Sequence, residues 1–217
     1  MPLQSNMALS DIIIYLQADL DVSIQNDVYP VIQAEKRDGG YFAVPRLVMC
    51  YVDFIGALYS GFSAGTNPNN IATTAKAVKY IDEVMSLVDP LYRQNGKLLV
   101  EIYRHGTVHL YSPISLKRNS DNRILQWEVY KGTRREMLIA GTVAAKWVTH
   151  MDIYHYDANN DVLPISINCL YEDLRQSIDE YCNLLQHEHA SGLTTLKDNF
   201  VSAANQIVAS KVVNFNW

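Results

Sequence analysis

Arg104 and His109 stand five positions apart, and His105 directly follows the arginine. Histidine exchanges a proton near neutral pH, so His109 is suited to take one from a hydroxyl or give one to a leaving oxygen. Arginine stays charged and presents a fork of donors, so Arg104 is suited to hold a phosphate and stabilise charge developing on it. His105 offers a second proton carrier, or a group that orients another histidine. Glu101 precedes Arg104 by three positions, a spacing at which a helix pairs opposite charges; Tyr103 is the second supporting residue. Five helical residues turn about 140° around the axis, so Arg104 and His109 do not share one narrow face, and Gly106 between them can end the helix. The spacing therefore favours a site completed by the same strip of a second copy.

Charge is focused on the same region. The chain carries a net −5, which argues against a general nucleic-acid binder, yet from Arg93 to Arg135 nine bases face three acids. That stretch is +6 and the remainder −11, so Lys97, Lys117, Arg118 and Arg123 are candidates for contacting the phosphates of an RNA or nucleotide. The alternative is a solvated face balanced by acids that folding brings near.

Other constellations read as structural. Asp157-x-Asn159-x-Asp161 opens like a calcium loop, but Val162 occupies the position needing glycine and Asn168 the position needing a bidentate glutamate, so a hairpin turn is expected. His150 and Asp152 would share one face of a strand without third and fourth ligands for a metal. His187 and His189 read as a polar helix end. Cys50, Cys169 and Cys182 lack close spacing and sit in apolar helical patterns, so all three are expected as reduced core residues. Neither a metal nor a cofactor is expected.

The elements that would position these groups follow from periodicity. In 217 residues that are 48% hydrophobic there is material for one core, hence a single domain over 1–217. Three- and four-residue spacing predicts helices over 11–29, capped by Ser10 and ended or kinked by Pro30, over 45–62, and over 70–88. A fourth apolar run follows Gly96, and Leu98 to Tyr103 reads as either helix or strand. Residues 122–162 are rich in β-branched and aromatic residues and predict a small antiparallel sheet. Helices over 170–186 and 193–213 close the chain. The expectation is an α+β fold, an N-terminal four-helix bundle over 10–111 with the small sheet and two C-terminal helices (165–213) packed on it. Met1 to Asn6 is neither basic nor strongly apolar, and Ile12 to Ile14 is too short for a span, so a cytoplasmic protein without membrane contact is expected.

An arginine, a polar residue and then a histidine at the end of a bundle helix resembles the HEPN superfamily (higher eukaryotes and prokaryotes nucleotide-binding). Leu98 to His109 is also similar to uncharacterised bacterial HEPN-like proteins, and the resemblance covers residues 10–111. It implies a homodimeric, metal-independent endoribonuclease in which the RNA's own 2′-hydroxyl attacks the adjacent phosphodiester, with Arg104, His105 and His109 at the centre. A toxin or phage-defence setting, with a neutralising protein partner, is what such families imply. A second reading is a HEPN-like binding or interaction protein without catalysis. A third takes Arg104-His105-Gly106 as the triplet of a histidine phosphatase, with His150 as its second histidine; that family's triplet follows a strand, whereas about 100 helical residues precede it here.

Overall fold

The computed structural model describes residues 2–33, 41–62, 72–105, 113–132, 135–140 and 145–210. Helix α1 starts as an α-helix over Leu9–Ile14, widens to a π-helix over Tyr15–Leu20 and returns to α-helix over Asp21–Gln33. Its buried residues Ile12, Leu16, Leu20, Ile24 and Val28 recur every four positions. In an ideal α-helix that stripe drifts about 40° per step, and the wider π turns offset part of the drift, holding the stripe against the core. The expected cap is displaced by two residues: Ala8 is the N-cap, Ser10 lies inside the helix, and the Asp11 carboxylate accepts from Ala8 N–H at 3.3 Å. Pro30 does not end the helix, which runs on to Gln33. Pro30 and Asn26 are both exposed, so the carbonyl that loses its donor faces water.

Helix α2 spans Ala43–Tyr59. Helix α3 runs over Ala72–Tyr80, a π segment Ile81–Met85 and a last turn Ser86–Val88. Helix α4 covers Leu91–Leu99 and continues as a π-helix over Val100–His105, so Leu98 to Tyr103 is helical. Helices α5 (Ile167–Ala190) and α6 (Thr195–Ser210) follow the sheet. Ser166 caps α5 by accepting from Cys169 N–H at 3.2 Å.

Helix α2 is the centre of the body, packing against α1, α3, α4, α5 and α6. Val44, Val48, Val52, Ile55 and Leu58 fill that centre. Two glycines set how closely helices approach. A Cβ on Gly56 would lie 2.7 Å from the backbone oxygen of Lys76 in α3, and one on Gly96 of α4 would meet the Ile81 side chain. Tyr59, Tyr80 and Tyr181 pack edge to face, with centroids 5.3 to 6.2 Å apart, between α2, α3 and α5. Asn199 Nδ2 of α6 donates to the Tyr59 carbonyl at 3.2 Å, closing a separation of 140 residues.

Strands β1 (Leu116–Lys117), β2 (Ile124–Tyr130), β5 (Tyr154–His155) and β6 (Asn160–Ser166) form one sheet in the order β1-β2-β6-β5. Strands β3 (Glu136–Ala140) and β4 (Ala145–Thr149) form a separate antiparallel hairpin. The expected antiparallel sheet is thus corrected at its centre, where β2 and β6 pair in parallel over seven residues. The chain makes β3, β4 and β5 before β6 returns in the direction of β2. Strand β6 is buried from Asp161 to Ser166 without alternation, as befits a strand covered on both faces. Pro164 is tolerated because β5 is too short to demand its missing N–H. The fold is α+β, mainly helical with a small sheet. No helix among the described residues is long and apolar enough to cross a membrane.

Cys169 and Cys182 are buried, but Cys50 is exposed. On α2 the neighbours Met49 and Val52 turn inward, and Cys50 falls with Arg46 and Asp53 on the helix's less buried face. The apolar character of the segment conceals that face in sequence.

Candidate phosphate-binding groove

Lys97 and Glu101 lie one turn apart on α4, which presents them beside the sheet. Strand β1 pairs antiparallel with β2, matching Lys117 to Ile124. The connecting turn closes through Arg118 N–H to the Arg123 carbonyl (2.8 Å) and Asn122 N–H to the Arg118 carbonyl (2.9 Å), with Asn122 in the left-handed region at φ 60°. Arg118 and Arg123 are thereby held side by side at the mouth of the hairpin. Lys97, Leu98, Glu101, Leu116, Lys117, Arg118, Arg123 and Asp161 line a groove of about 650 Å³. All four sequence-nominated cations thus meet in one place, with Glu101 beside them.

Asp161 anchors this groove. The parallel register sets it opposite Leu125, and β5 sets His155 opposite it. Its side chain is only 6% exposed, yet it accepts from Arg118 at 2.9 Å, from Arg123 Nε at 3.1 Å, and from His155 Nδ1. The Arg123 guanidinium, then the hydrogen bond from His155, hold its carboxyl far below the usual range despite burial. Arg123 also donates to the carbonyls of Asp157 (2.9 Å), Ala158 (2.6 Å) and Asn160 (2.9 Å). Asp157 accepts from Asn159 N–H at 2.7 Å and Asn160 N–H at 2.8 Å, so 157–161 is a hairpin turn between β5 and β6. Arg123 therefore clasps that turn and lines the groove together with Arg118, which is 48% exposed.

Arg104 and His105 end α4 as its last π-helical residues, and their side chains lie outside the described residues, as does His109 entirely. Glu101 is half-buried. Tyr103 is fully buried, its ring edge-on to Trp127 of β2 at 6.3 Å, so it joins the helix to the sheet.

A second polar cluster was not anticipated. His150 is not on a strand with Asp152: it follows β4 in a turn whose next residue, Met151, is left-handed at φ 66°. Asn95 donates to the Met151 carbonyl at 2.7 Å and Met151 N–H to the Pro164 carbonyl at 2.9 Å, holding that conformation. The turn swings His150 into the interior and leaves Asp152 exposed. Ser166 N–H donates to His150 Nδ1 at 3.0 Å, so the ring's proton sits on Nε2 and points to the Tyr92 hydroxyl at 3.1 Å. Tyr92 in turn donates to Asp173 at 2.8 Å, and Arg135 bridges Asp173 and Asp89. Burial, then the charge of Arg135, push the His150 pKa down to about 3. Among the described residues no group of three or more His, Cys, Asp or Glu is placed to hold a metal ion. The phosphatase reading loses its geometry here, since the element before Arg104 is helical and His150 is sealed from any substrate.

The missed residues had faint signals at most. Asp161 was visible only as the last acid of the turn motif, and His155 had none. No family model, curated protein or solved structure matches this chain.

Proposed function

We propose that the chain is a HEPN-like, metal-independent endoribonuclease acting as a homodimer, with the basic groove seating the RNA backbone. The observation that supports this most is the meeting of Lys97, Lys117, Arg118 and Arg123 in one groove, bordered by the helix that leads into Arg104 and His105. A polyanion gains from such a cluster chiefly by releasing its counterions. In this reading α1 to α4 act as the family's four-helix bundle. Arg104 holds the scissile phosphate, oriented by Glu101; His109 moves the proton of the 2′-hydroxyl or of the leaving oxygen; His105 assists. The strips of two subunits face each other, which removes the conflict between five-residue spacing and helix geometry. A cytoplasmic toxin or defence role with a neutralising partner belongs to the same proposal.

Binding without cleavage is the second reading. The observation that favours it is the ion pairing of Arg118 and Arg123 with Asp161, which commits part of the groove's charge to the fold. Labelled RNA incubated in EDTA with wild type and His109→Ala separates the two. Cleavage by wild type alone supports the ribonuclease; binding with no cleavage by either leaves the binding protein, and equal cleavage by both removes His109 from the mechanism.

A further inference from the structure

We propose that a cavity between the C-terminal end of α1 and the first turns of α5 is a binding site for guanine, separate from the basic groove and independent of whether the chain cleaves RNA. The cavity measures about 440 Å³, within the range of small-molecule sites, and is lined by Tyr29 and Gln33 of α1, Arg135 ahead of β3, and Asn168, Tyr171 and Gln176 of α5. Arg135 joins it to the buried cluster of Asp89, Asp173 and Tyr92.

The guanidinium of Arg135 has five N–H donors in one plane. Nη1 spends both of its hydrogens on carboxylates, on Asp89 at 2.7 Å and on Asp173 at 3.0 Å, and Nη2 spends one on Asp173. Among the described residues the other two, Nε–H and the second on Nη2, meet no acceptor, and they stand parallel on one edge of the fork. Asp89 and Asp173 are buried whereas the Arg135 side chain is 36% exposed, so the edge without acids is the one offered to the cavity. Asn168 adds the opposite demand. Its Oδ1 is buried with no hydrogen-bond partner among the described residues, an acceptor that a ligand N–H would satisfy.

Charge selects the ligand. Arg135 and Arg175 stand among Asp21, Asp89, Glu172 and Asp173, so a carboxylate or phosphate on the open edge would meet an excess of negative charge. A neutral pair of acceptors meets no such penalty, and the amides of Gln33 and Gln176 keep the rest of the wall polar but uncharged. Guanine presents O6 and N7 side by side, the pair that an arginine fork grips, and its N1–H and N2–H donors on the adjoining edge suit Asn168. The rings of Tyr29 and Tyr171, with centroids 6.3 Å apart and planes 33° apart, give a flat base an aromatic wall, and Tyr29 is 46% exposed.

The test is calorimetric titration of the whole protein with guanosine, 7-deazaguanosine (which lacks the N7 acceptor), adenosine and cytidine. Guanosine should bind about tenfold or more tighter than the other three, and guanosine 5′-monophosphate no tighter than guanosine. Equal binding of all four nucleosides, no saturable binding of guanosine, or a monophosphate about tenfold tighter than the nucleoside overturns the proposal. Arg135 holds the fold, so the variants are Tyr29→Ala and Asn168→Leu, each checked by thermal melting. Both should weaken guanosine about tenfold, with Asn168→Leu melting no lower than wild type because the orphaned acceptor is gone. Wild-type affinity in both variants places guanosine elsewhere and overturns the site; if Asn168→Leu unfolds, Tyr29→Ala decides alone. A guanine-containing oligoribonucleotide that displaces guanosine makes RNA the source of the base, and one that does not leaves the free nucleoside; either supports the site.

Discussion

Replacing His150 by glutamine should flatten the acid side of the stability curve. His150 is fully buried and neutral, hydrogen-bonded to Ser166 N–H through Nδ1 and facing Tyr92 of α4 through Nε2. The Asp173 carboxylate lies 3.6 Å from Nε2, and Arg135 completes the ring of charges. Its pKa is about 3 in the fold against an ordinary 6.5. Above pH 6.5 neither folded nor unfolded chain is protonated there, and the residue is neutral toward folding. Below that, the unfolded chain takes up a proton that the fold refuses, and stability falls by about 1.4 kcal/mol per pH unit. From pH 6.5 to 5 the loss is about 2 kcal/mol from this residue alone. Extended to pH 3 it approaches about 5 kcal/mol, although Asp173, whose carboxyl burial pushes up, opposes it at the acid end. Glutamine carries no titratable group, so urea titrations of both proteins at pH 7, 6.5, 6, 5.5 and 5 should show the wild-type stability falling about 2 kcal/mol further than the variant's. Parallel curves over that range would refute the assignment of a neutral, depressed histidine.

Arg135→Ala leaves Asp173 buried without its charge partner and should cost about 3–5 kcal/mol in urea unfolding, well beyond a surface substitution. Gly56→Ala drives a methyl against the Lys76 backbone and should cost about 1–3 kcal/mol despite alanine's better helix propensity. In the native protein a thiol reagent should label Cys50 and spare Cys169 and Cys182 until denaturant is added, burial having raised the Cys182 pKa to about 12. For a single-stranded RNA, Lys97→Ala with Lys117→Ala should reduce the slope of log affinity against log salt by about 1.4; an unchanged slope places the RNA elsewhere.

What could be read in advance was local. The four-residue recurrence along α1 and the stripes of α3, α5 and α6 needed only the helical period, whereas Leu98 to Tyr103 of α4 read equally as helix or strand; the cations of the groove were visible because they cluster between Arg93 and Arg135. What escaped depends on contacts remote in sequence. No period announces that β2 and β6 run parallel, yet that register delivers Asp161 to Arg118 and Arg123. Met151 is an ordinary apolar residue whose left-handed turn exists only because Asn95 and Pro164 hold it, and without it His150 reads as a strand residue. Pro30 misleads for the opposite reason: the penalty for proline is small where the orphaned carbonyl meets water.

The central place of α2 also has a cost in time. Its last turn is tied to Asn199, 140 residues further along the chain. At about 5–20 residues per second of synthesis, the partner arrives about 7–28 s later. Until then part of α2, the most apolar of the described helices, has no cover. Its final burial must follow completion of the C-terminal helices, so a chain released before α6 would be sticky rather than simply shorter, with α2 as the first surface for a chaperone to hold.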